Sequence, residues 1–60
     1  MKLKELEKTL KSHKCETVRE GGNHTIWKNP KNNKISAVPR HKEIKENLAK
    51  AIFKQLDLSL

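Results

Sequence analysis

The spacing of apolar residues along this chain changes three times, and each change marks an element. Leu3, Leu6 and Leu10 stand at i, i+3 and i+7 with lysines and glutamates around them, the stripe of a helix that buries one face. The spacing predicts a helix from Leu3 to about His13, with Lys8, Lys11 and Lys14 near its end, where positive charge suits the helix dipole. Cys15–Glu20 is short and partly β-branched, and the pair Gly21-Gly22 closes it as a first strand. Thr25-Ile26-Trp27-Lys28 has the strongest strand propensity of the chain, and Asn29-Pro30-Lys31-Asn32-Asn33 then reads as a turn. Lys34–Val38 resumes an extended pattern until Pro39, which keeps the residue before it out of helix. Ile44, Leu48, Ala51, Ile52 and Leu56 return to helical spacing and predict a second helix from about Lys42 to Gln55.

Two amphipathic helices need a shared apolar surface. Three strands joined by short turns supply it as an antiparallel meander with one covered face. The expected class is therefore α+β, a two-layer α-β-β-β-α sandwich spanning residues 1–60 as one domain, with no repeat or linker to divide it. Strict alternation puts His24, Ile26 and Lys28 on one face of the second strand and Thr25 and Trp27 on the other, with Trp27 expected inward.

Composition narrows the function. With 33% hydrophobic residues, and about 60% of its unfolded surface buried at this size, the chain has no room for a deep active site. Trp27 and Phe53 are its two aromatic residues, too few for a platform of stacked bases. Fourteen Lys and Arg against seven Asp and Glu give a net charge of +7, which attracts polyanions, RNA first among them. A lone Cys15 excludes an internal disulfide and fits a reduced, cytoplasmic setting. No run of about 18 apolar residues exists, so no membrane partner is expected. Neither paired cysteines nor paired histidines stand at ligand spacing, so no metal or other cofactor is expected.

The candidate chemistry centres on Gly21-Gly22-Asn23-His24. The glycines permit positive φ and close backbone approach, Asn23 tolerates the same left-handed region, and together they deliver His24 to the mouth of a strand. An imidazole, with an ordinary pKa of about 6.5, both takes and gives protons near neutrality. By spacing alone, a histidine beside a hairpin turn is more often an ordinary half-exposed surface residue. Lys28 on the same strand is a candidate phosphate contact, with Lys31 and Lys34 of the turn as weaker ones. Arg40 and Lys42 put positive charge at the expected start of the second helix, the wrong sign for its dipole. Either a bound phosphate offsets that mismatch, or Glu43 just behind already does. His41 is a phosphate contact or part of the helix start, His13 a surface residue, and Cys15 a small buried hydrophobe.

Arg19-Glu20-Gly21-Gly22-Asn23-His24-Thr25-Ile26-Trp27 resembles the Arg-Gln-x-Gly-Ser-His-x-Ile-Phe signature of the HicA toxins. Val38-Pro39-Arg40-His41, Glu43-Ile44 and the closing Ala51-Ile52-Phe53-Lys54-Gln55-Leu56 are similar to that family's Val-Pro-Arg-His segment and last helix. The resemblance covers nearly the whole chain. It departs at Glu20 and Asn23, which replace glutamine and serine, and at Glu46-Asn47 and Asp57, where the family often has glycine.

The resemblance implies a double-stranded-RNA-binding-domain-like fold and a metal-independent mRNA interferase, an endoribonuclease neutralised by a HicB-type antitoxin. It makes His24 the catalytic residue in a loop of Gly21, Gly22 and Asn23, and the antitoxin is expected to cover that face; the sequence does not fix the oligomeric state of the free toxin, for which a monomer is the expectation. Lys28, Arg40 and Lys42 are then the expected RNA contacts. Two other readings stand beside this one: a non-catalytic double-stranded-RNA-binding module, and a subunit that only recognises an acidic protein.

Overall fold

The computed structural model describes residues 1–58. In chain order they form helix α1 (Leu3–Ser12), strands β1 (Glu16–Glu20), β2 (His24–Asn29) and β3 (Lys34–Pro39), and helix α2 (Glu46–Gln55). The strands make one antiparallel sheet in the order β1-β2-β3. The core joins Leu6 and Leu10 of α1, Trp27 and Val38 of the sheet, and Ala49 and Ile52 of α2, with Cys15, Ile44 and Leu56 from the connections. This is the expected two-layer α-β-β-β-α sandwich of the double-stranded-RNA-binding-domain type. Burial on β2 alternates, with Thr25, Trp27 and Asn29 inside and His24 fully at the surface, so the face left outward is the one that carries His24.

Both helices end in the same hydrogen-bonded motif, and neither uses glycine for it. After α1 the Cys15 N–H donates to the Leu10 carbonyl at 3.0 Å and the Lys14 N–H to that of Lys11 at 3.0 Å. After α2 the Leu58 N–H donates to Phe53 and the Asp57 N–H to Lys54, again at 3.0 Å each. These are Schellman closures, which require a left-handed residue; Lys14 (φ 68°) and Asp57 (φ 56°) adopt it. Each motif also returns an apolar residue, Cys15 or Leu58, to the core.

The β2–β3 turn is tied to the end of α2. Asn29, buried, donates from Nδ2 to the Leu56 carbonyl at 2.9 Å and accepts the Lys31 N–H at Oδ1 at 3.0 Å. Asn32 donates to the same carbonyl at 3.2 Å, and Asn33 takes the left-handed conformation that lets the chain re-enter β3. One buried group stays unpaired among the described residues: the Nε1–H of Trp27 has no acceptor.

The second helix starts four residues later than its apolar spacing suggests. Residues 42–44 stay out of the helix because they pair with the chain's first residues. The Leu3 N–H donates to the Lys42 carbonyl at 2.9 Å, the Ile44 N–H to that of Met1 at 2.7 Å, and Lys2 and Glu43 form a bridge. The Met1 amine adds a 2.8 Å ion pair to Glu43, which raises the amine's pKa and lowers that of the carboxyl. Ile44 thus reaches the core from outside the helix. The inward face of α2 is Ala49, Ile52 and Leu56, with Phe53 partly covered, while Ala51 and Leu48, expected inward, are exposed, Leu48 by 41%.

Candidate active site

His24 opens β2 at the free end of the β1–β2 hairpin, opposite Pro39 of β3. The hairpin closes when the Gly21 N–H donates to the His24 carbonyl at 2.8 Å. Neither glycine has positive φ, so left-handed backbone is not why they stand here. Gly21 is required for close approach, since a Cβ on it would lie 3.3 Å from the His24 carbonyl oxygen. Gly22 has open space around it.

Arg40 holds this loop. Its backbone N–H donates to the Asn23 carbonyl at 3.2 Å, and its guanidinium Nη2 donates to the carbonyls of both Gly21 and Gly22. The expectation that Arg40 and Lys42 flank a helix N-terminus does not hold, because α2 begins at Glu46 and the bridge to the N-terminal residues keeps 42–44 out of it. Lys42 instead lines a separate cleft with Lys2 and Lys4. His41 does not shape the helix start for the same reason.

A β-bulge brings in a cation that strand alternation hides. Thr17 pairs with Trp27 but Arg19 pairs with Ile26, so Val18 is an extra residue in β1. A bulge of this kind turns the following side chain to the other face. Arg19 therefore joins the outer face of Ile26 and His24, and all three line one shallow cleft of about 290 Å³ with Gly21, Gly22 and Asn23. On the opposite flank His24 borders a second cleft, of about 340 Å³, with Pro39, His41, Glu43, Lys45 and Leu48 among its walls. His24 is the ridge between two open, nucleotide-sized depressions.

Lys28 shares the outer face with His24. It lies four residues along the strand, roughly 13 Å away at the usual strand rise, too far to meet the same phosphate. Cys15 is buried and its pKa is raised by that burial. His13 caps α1 with its ring Nδ1 2.9 Å from the Thr9 carbonyl. Among the described residues no group of three or more His, Cys, Asp or Glu is placed to hold a metal ion, and no helix is long and apolar enough to cross a membrane.

The residues that pattern reading passed over are Arg19, Lys45 and Leu48. A pairing register with a bulge leaves no periodic signal, although Arg19 does stand first in the quoted signature.

A sheet with two helices on one face, an outward histidine at a hairpin end and a net charge of +7 define a small basic domain of the double-stranded-RNA-binding type. Residues 3–58 match the family described as the HicA toxin of bacterial toxin-antitoxin systems, and the chain belongs to that family. Neither the curated proteins nor the solved structures give a match.

Proposed function

We propose that this toxin is a metal-independent endoribonuclease that cleaves mRNA with His24 as its catalytic residue, and that a HicB-type antitoxin neutralises it in the cytoplasm. The observation that carries the reading is the position of His24, exposed between two clefts on the outward face of a basic sheet. Strand cleavage without a metal needs the 2′-hydroxyl deprotonated, the leaving 5′-oxygen protonated and the phosphoryl charge stabilised. The RNA supplies its own nucleophile, so a shallow site suffices. A positioned acid or base adds about 10²- to 10⁴-fold. Arg19, in the same cleft as His24, faces the scissile phosphate; Lys28 and Lys42 meet neighbouring ones, and Arg40 serves first to hold the Gly21-Gly22 carbonyls. The antitoxin covers the outer sheet face, where His24 and Ile26 adjoin Ile35, 58% exposed, and Ala37.

The test is RNA incubated with the wild type and with His24→Ala, each with and without a chelator. Cleavage indifferent to the chelator and lost in the variant, with fold and RNA affinity retained, is the expected result. A wild type that binds RNA without cutting it leaves a non-catalytic double-stranded-RNA-binding module in its place.

A further inference from the structure

The cleft of His24, Pro39, His41 and Leu48 holds more than one imidazole. His41 follows Pro39, the cross-strand partner of His24, by two residues, and the Arg40 N–H between them is fixed to the Asn23 carbonyl at 3.2 Å. The chain leaving β3 is thereby pinned against the His24 loop. His41 is exposed and has no helix to cap, since α2 starts at Glu46. It therefore has no structural task visible in its surroundings.

We propose that His41 is the second proton-transfer group of the site, with the scissile phosphate seated between it and His24. This rests on the endoribonuclease reading and deepens it. The neutral ring of the pair takes the proton of the 2′-hydroxyl, whose oxygen forms a bond to phosphorus. The P–O5′ bond breaks as the protonated ring of the pair gives its proton to the leaving oxygen. The products are a 2′,3′-cyclic phosphate and a 5′-hydroxyl, and the two rings have exchanged protonation states. Two titrating groups with opposite requirements give a bell-shaped pH–rate profile.

The other charged groups facing the pair do not replace either ring. Glu43, in the same cleft, is ion-paired to the Met1 amine at 2.8 Å and held below the usual carboxylate range by that hydrogen bond, so it gives no proton near neutrality and is a weaker base than an imidazole. Lys45 lies on that side and Arg19 on the other. They stabilise phosphoryl charge and leave proton transfer to the imidazoles. Leu48 and Pro39 give the cleft an apolar wall on which a nucleoside rests.

Cleavage of an end-labelled RNA oligonucleotide across pH 5–9 by wild type, His24→Ala, His41→Ala and His41→Arg tests this. Melting curves and salt-dependent binding confirm that each variant folds and holds RNA. The expected result is a bell for the wild type, and at least about a 100-fold loss of kcat in both His41 variants with one limb of the bell removed. Arginine keeps the charge but cannot release a proton in this range. If His41→Arg stays within fivefold of wild type, His41 is only a phosphate contact and the proposal falls. If His41→Ala is active while His24→Ala is dead, the endoribonuclease reading stands and this inference falls alone. A wild type that does not cleave overturns both.

Discussion

The Arg40 guanidinium is the side chain that ties down the Gly21-Gly22 loop, and its removal separates two roles that a basic residue beside the His24 site can play. Arg40→Ala deletes the Nη2 donors to the carbonyls of Gly21 and Gly22 but leaves the backbone bonds of Gly21 to His24 at 2.8 Å and of Arg40 to Asn23 at 3.2 Å. A typical hydrogen bond contributes about 0.5–1.5 kcal/mol net. Arg40 is exposed and both bonds come from one nitrogen, so solvent screening puts the pair near the lower end, about 1 kcal/mol in total. A difference of that size is about a fivefold change in a conformational equilibrium.

The clamp therefore predicts a kcat about fivefold lower, through a loop that presents His24 less of the time, and a salt dependence of RNA affinity that is unchanged. A phosphate contact predicts the reverse: affinity falls and the log–log salt slope on single strands shrinks by about 0.7. Arg40→Lys sharpens the comparison because lysine keeps the charge but replaces the fixed planar Nη2 group, which reaches both carbonyls, with a freely rotating ammonium on a flexible stem. Single-turnover cleavage and salt titration of the three proteins decide it. An Arg40→Lys protein equal to wild type, together with a shallower slope for Arg40→Ala, refutes the clamp.

Other changes test other parts of the same framework. Lys14→Gly and Asp57→Gly relieve left-handed backbone at the two Schellman closures and each stabilise by about 0.5–1 kcal/mol after the unfolded-state entropy of glycine is counted, a rise of several degrees in Tm; a fall in Tm in either variant contradicts the cap assignment. Gly22→Ala, with nothing within 4 Å of the new methyl and no positive φ to oppose it, leaves cleavage unchanged and raises Tm by a few degrees as the unfolded chain loses freedom, whereas Gly21→Ala, 3.3 Å from the His24 carbonyl oxygen, lowers cleavage several-fold in the same assay. Trp27→Phe trades ring volume for the loss of a buried N–H that has no acceptor, and equilibrium denaturation should place it within about 1 kcal/mol of wild type. Cys15 has its pKa raised by burial, so the unfolded thiol ionises first and stability declines as pH rises above about 8.5; Cys15→Ala makes that decline shallower in melts from pH 7 to 10, and what is left belongs to the Met1 amine, whose pKa its pairing with Glu43 raises.

Elements set by local periodicity were legible in the sequence, and features set by pairing between distant segments were not. Leu6 and Leu10 announce α1, and the alternation from His24 to Asn29 assigns the inward side of β2. Ile44 misleads because its spacing to Leu48 suits a helix, yet the bridge between Lys2 and Glu43 holds it out of the helix. Ile52 and Leu56 keep their expected place, while Ala49 takes the inward position on the first turn and Leu48 borders the cleft of His24. The Val18 bulge and the left-handed Lys14 and Asp57 carry no compositional mark, since no glycine signals them. For the candidate site, the Gly-Gly-Asn-His order announces the hairpin and the exposed ring, while the task of Arg40 depends on a contact across about twenty residues.

The late start of α2 also decides where an anion can be held. The helix opens at Lys45 with no side-chain cap, and Glu46 already occupies its first turn, so acidic charge meets the positive end of the dipole. The preceding segment, bridged to the N-terminal residues, carries Arg40 and Lys42 away from the helix axis. Backbone N–H groups at the helix end therefore do not explain attraction of RNA to the His24 face. On the proposed reading that attraction falls to side-chain cations: Arg19 beside the histidine, Lys45 in the second cleft and Lys28 farther along the strand. Such charges act through counterion release, whereas the proton transfers need a titrating ring. On the same proposed reading binding and chemistry are thus divided between different residues, and a substitution at His24 or His41 is expected to remove cleavage while RNA still binds.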